Sequence, residues 1–161
     1  MPIEELERRI VELENKIREH RHEGNSTTRI NYSDIFTPPR RYFQVVVFGF
    51  ATNVATGDGK YYIHIPTDYD GLRLVECHAE VITAGTTGTT DIQIANVDNA
   101  VDMLSTKLTI DSGETGSDTA ATAYVINTVN NEVNENDVIR VDVDAVSTTP
   151  PQGLIITLGL A

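Results

Sequence analysis

His20-Arg21-His22 is the most pointed chemical spacing in this sequence. On a helix, residues two apart point about 200° away from each other, so the two imidazoles cannot share one axis. On extended backbone they lie on the same side. If a helix ends by His20, three parallel chains bring both rings of every copy to one axis. That is an octahedral nitrogen site, suited to iron, nickel or zinc. The alternative is a pair of exposed histidines at a fraying helix end.

The remaining reactive side chains read as structural. Asp142 and Asp144 share the outward face of a strand, with Asp137 nearby. Paired carboxylates bind calcium or move protons, but no loop of ligands surrounds these, and a solvated acidic strand face is expected. His64 and His78 each stand alone within strands. Cys77 is the only cysteine, so no intrachain disulfide forms. Its place inside the run from Leu72 to Ile82 fits a small buried apolar residue. No serine stands in a nucleophile elbow, and no glycine-rich loop joins a strand to a helix. The chain is therefore expected not to be an enzyme.

Two kinds of element must position these residues. Ile3, Leu6, Ile10, Leu13 and Ile17 are spaced three and four apart, with Ile at every a position and Leu at d. Almost everything between them is charged; Val11 is the one apolar residue off the seam. A stripe this narrow suits a partner helix better than a globular core. A helix over 3–19 is marginal alone in water, so self-association is the simplest source of a partner. The alternative is docking on the chain's own β domain. Taken alone, Ile at a with Leu at d favours two strands. Gly24 to Thr28 then reads as a loop, and Pro38-Pro39 stops both helix and central strand.

From Tyr42 the period changes to two. Expected strands are 42–51, 61–65, 72–82, 91–97, 103–110, 122–128, 138–145 and 154–160. Val75, Cys77, Ala79 and Val81 share one face and Glu76, His78 and Glu80 the other. Ile139, Val141 and Val143 alternate with Arg140, Asp142 and Asp144. Such alternation marks antiparallel strands with one wet face. Turn clusters such as Ala84 to Gly88 and Asp111 to Gly116 separate the strands. The expected fold is all-β: an antiparallel β-sandwich, jelly-roll-like, preceded by a short N-terminal coiled-coil helix. The expected organisation is a coiled-coil stem over 1–23, an extended connector over 24–41 and a β-sandwich head over 42–161.

The chain has 161 residues, 40% of them apolar, and a net charge of −12. That is enough for one domain with a core and a small appendage. Residues 1–41 carry eight basic and eight acidic side chains, whereas residues 42–161 carry four basic and sixteen acidic ones. The head thus holds all of the net charge, repels phosphate backbones, and is not expected to bind nucleic acid. No apolar run approaches membrane-span length. The charged start, Met1-Pro2-Ile3-Glu4-Glu5, does not read as a secretory signal. The expectation is a chain that stays where it is made or leaves by a route such as lysis.

Three stretches resemble the tail-fibre, receptor-binding and related virion appendage proteins of tailed bacteriophages. The first is the heptad helix running into His20-Arg21-His22-Glu23-Gly24. The second is the connector Ile30 to Phe36. The third is the β region carrying Tyr62 to Pro66, Gly71 to Val75, Val138 to Asp144 and Gly153 to Leu158. Many such fibres carry several His-X-His motifs or a long shaft, and this chain has neither. The resemblance implies a parallel homotrimer and strengthens the metal reading for His20 and His22. It also implies a place in the virion among other capsid or tail proteins, and attachment to a host surface glycan or protein. Tyr61, Tyr62 and Tyr69 are the candidate contact patch; ordinary packing is the alternative. A capsid decoration protein that stabilises the shell without a receptor is the rival reading, slightly favoured by the absence of Trp and the 6% aromatic content. A carbohydrate-binding module is the third.

Overall fold

The computed structural model describes residues 3–19 and 39–161, with side chains for 3–15 and 39–161. They fall into two compact units. The first holds one helix, α1, Ile3–Glu19. Leu, Ile, Glu and Arg are good helix formers, and neither Gly nor Pro interrupts them. Glu4 and Glu5 in the first turn complement the positive end of the helix dipole. Ile3, Leu6, Ile10 and Leu13 are exposed. The side chain of Ile17, and all of His20 and His22, lie outside the described residues.

The second unit is all β. Its strands are β1 Arg41–Asn53, β2 Gly57–His64, β3 Leu74–Thr83, β4 Thr90–Asn96, β5 Val101–Asp102, β6 Leu104–Thr106, β7 Leu108–Ile110, β8 Val125–Ile126, β9 Val138–Ala145 and β10 Gln152–Leu160. All pairings are antiparallel. One sheet has the order β1-β10-β3. The other has the order β2-β9-β4-β5, with β7 also on β4, and β6 and β8 form a small ribbon. The first strand thus pairs with the last, and the second with the penultimate.

The two sheets share one core. The inward residues are those that the two-residue period selects: Cys77, Ala79 and Val81 on β3, Ile92 and Ile94 on β4, Ile139, Val141 and Val143 on β9, and Leu154, Ile156, Leu158 and Leu160 on β10. Phe43, Val45 and Phe48 of β1 pack on it from the edge. Burial pushes the Cys77 thiol pKa up, so the group stays neutral.

Several strand bounds differ from expectation, three of them for identifiable reasons. The run over 103–110 is broken because it changes partner: β7 pairs with β4, whereas β6 turns to β8. The run over 122–128 shrinks to Val125–Ile126, since Ala121, Thr122 and Ala123 offer little to bury. Gly57 and Gly59, both at positive φ, open β2 through a bulge against β9, so that this strand begins before the expected 61.

Candidate functional site

Three polar clusters sit on this scaffold. The first is on the outer face of the three-stranded sheet, where Gln44, Thr157 and His78 form one cross-strand row. When protonated, His78 donates from Nδ1 to Asp118 Oδ1 (2.6 Å) and from Nε2 to Glu76 Oε1 (2.7 Å). Glu76 also accepts from Arg40 and from the Tyr42 hydroxyl. His78 therefore does not stand alone. The two carboxylates approach opposite nitrogens of the ring, so the trio does not converge on a single ligand point.

The hydrogen bond to Glu76 raises the His78 pKa above its ordinary 6.5; Asp118 adds to this and partial burial opposes it. The sign follows from linkage. The folded state binds the proton more tightly, so the stabilisation is fully present below about pH 6.5, the unfolded value, and is lost as pH rises through the higher folded value. Urea unfolding should therefore show a less stable protein at pH 8 than at pH 6. His78→Gln should flatten that difference. An unchanged difference in the variant would assign the pH dependence elsewhere.

The second cluster lies on the outer face of the other sheet. Tyr62, Arg140, Ala95 and Asp102 form one row across β2, β9, β4 and β5. Ala95 is small, so the row dips into an open cleft of about 380 Å³ with Arg140 on one side and Asp102 on the other. Ala100, at φ 52°, closes its rim in a turn whose N–H donates to the Val97 carbonyl (3.1 Å). A left-handed alanine costs of order 1 kcal/mol. Asp142 fixes the Arg140 guanidinium by accepting from Nε (3.0 Å) and Nη2 (2.8 Å), and also accepts from the Gly59 N–H (2.7 Å). The expected solvated acidic face is corrected at Asp142, which is 3% exposed and fully engaged; Asp144 is exposed as expected and pairs with Lys107 at 2.6 Å.

The third cluster is structural. Asp137 accepts from Asn96 Nδ2 (2.7 Å) and from the Asn134 N–H (2.9 Å). It ties the loop before β9 to the end of β4.

The three tyrosines do not share a surface. Tyr61 and Tyr62 are successive on β2 and so alternate to opposite faces. Tyr62, 57% exposed, is the cross-strand neighbour of Arg140 but does not line the cleft. Tyr69 packs its ring against Phe43, centroids 4.7 Å apart, beneath the Arg41 guanidinium. Arg140 and Asp118 were not legible as site residues. Arg140 alternates onto the same strand face as Asp142, but nothing in the sequence places it at a cleft, and nothing local points Asp118 at His78. No family model matches this sequence, and no curated protein or solved structure matches it.

Proposed function

We propose that this chain is a virion structural protein: a trimeric β knob on a short coiled-coil stem, exposed on the particle and used in host attachment. The observation that carries this reading is a helix with a narrow, exposed Ile/Leu seam joined in one chain to a separate compact β unit. A helix of this length needs partner helices, and a compact β unit with its own core suits a projecting head. The strand orders support a jelly roll. First-with-last and second-with-penultimate pairing is what a folded double Greek key produces, and viral capsid and lectin domains use that fold. In the attachment reading, the cleft between Arg140 and Asp102, with Tyr62 on the strand beside Arg140, is the contact point for a host glycan.

Capsid decoration remains the second reading. The divergence of Tyr61, Tyr62 and Tyr69 favours it, since no broad aromatic platform results. Labelled protein that binds host cells supports attachment; labelled protein that binds only shells supports decoration.

Sedimentation equilibrium tests the assembly itself. The intact chain should be a trimer at micromolar concentration. Ile10→Asp, which sets a charge in the seam, should lower its mass toward that of one chain. A monomeric intact chain would sink the proposal, and a dimer would leave the heptad reading standing without the trimer.

A further inference from the structure

β1 is an edge strand. Among the described residues it pairs with β10 alone, and no backbone hydrogen bond outside the ladders involves residues 41–53. An antiparallel edge strand turns half of its N–H and C=O groups away from its neighbour. Soluble proteins usually blunt such an edge with Lys, Pro or inward charges. β1 bulges between Val46 and Phe48 and between Phe48 and Asn53, but after its first residue it carries no Lys, Pro or charge: Tyr42 to Gly57 contains no charged side chain. β10, beside it, lies in a second charge-free stretch, 145–161.

The outer face carried by these two strands is apolar at one end. Val46 pairs with Ile155, and at Gly153 the Phe50 backbone and the Ile82 side chain come so close that a Cβ would collide with both. Val46, Phe50 and Ile82 are 47%, 62% and 53% exposed. Contiguous exposed apolar surface beside an open edge marks a contact surface.

The charge distribution selects the occupant. Residues 42–161 carry four basic and sixteen acidic side chains, so two heads repel one another over most of their surface. They can approach closely only where charge is absent, and β1 with β10 supplies that strip. A basic partner would instead be matched by acidic side chains, of which this end of the face shows only Glu80. We propose that the charge-free strip formed by β1 and β10, with Ile82 beside it, is the surface through which the head contacts a second copy of this chain. This rests on the self-association proposed above and adds that the head, and not the stem alone, holds the copies together.

The test uses the full chain. Phe50→Asp replaces an exposed side chain, so the far-UV circular dichroism spectrum should be unchanged. The dissociation constant of the assembly should rise at least tenfold by sedimentation. Ile82→Glu gives the same test from another strand should Phe50→Asp fail to fold. Coverage is read directly with Phe50→Cys, since native Cys77 is buried. Maleimide should modify this variant slowly in the assembly and rapidly when Ile10→Asp has dispersed it.

A dissociation constant within twofold of the original for both acidic variants overturns the head contact and leaves the stem standing. Rapid modification in the assembly does the same. Slow modification in the dispersed protein means that the chain's own residues 20–38 cover the strip, which also overturns the inference. A monomeric intact chain overturns both this inference and the stem.

Discussion

Ile156→Ala is expected to lower the unfolding free energy of the β unit by about 2–5 kcal/mol, the usual cost of truncating a buried Ile to Ala. Ile156 is fully buried at the centre of β10, opposite Val45 on β1 and Ala79 on β3. Removing three carbons there loses their transfer free energy and leaves a void that the two sheets cannot close without moving. Val129→Ala, on an exposed loop residue, should stay within about 0.5 kcal/mol. Urea denaturation of both variants makes the comparison. The pair tests whether the sheets share one cooperative core. If Ile156→Ala costs under 1 kcal/mol, or unfolds in two steps, the sheets are not held together as the packing implies.

The sequence made the central strands legible and the edges opaque. β3, β9 and β10 show clear alternation because one face of each is buried against the other sheet and the other is not. Their inward sets, such as Cys77, Ala79 and Val81, are those the pattern selects. The run over 103–110 is one strand pattern in sequence but two strands in space, β6 and β7, because the choice of partner is tertiary. Period two records which face is buried and carries nothing about which neighbour is met.

The polar clusters show the same limit. Glu76 is two residues from His78 on the same face, so that half of the clasp follows from strand geometry. Asp118 arrives from a loop 40 residues later, and no local signal aims it there. Asp142 alternates outward as expected, yet outward is not solvated: the β2 bulge at Gly59 folds over it. A polar residue on the wet face of a sheet is read as exposed until a loop distant in sequence covers it.

Asp142 is therefore the polar residue whose loss should cost most. Its carboxylate takes two hydrogen bonds from Arg140 and one from the Gly59 N–H while almost fully buried. Asp142→Ala strands both partners. The Arg140 guanidinium keeps only Asp58, at 3.9 Å, and the Gly59 N–H loses its acceptor. Removing one partner of a buried pair costs about 3–5 kcal/mol. Arg140 is half-buried and can recover some water, so about 2–3 kcal/mol is the expected loss by urea denaturation.

The effect should reach the candidate contact surface as well. Gly59 sits at φ 66° and a Cβ there would collide with the Tyr62 hydroxyl, so the turn that Asp142 anchors is also the support of the Tyr62 ring. Asp142→Asn retains an acceptor for Gly59 but removes the charge that orients Arg140. A double-mutant cycle of Asp142→Asn with Arg140→Gln should give a coupling energy of about 1 kcal/mol or more. Coupling near zero would mean that Arg140 is held by its packing on the sheet and that Asp142 serves the Gly59 turn alone.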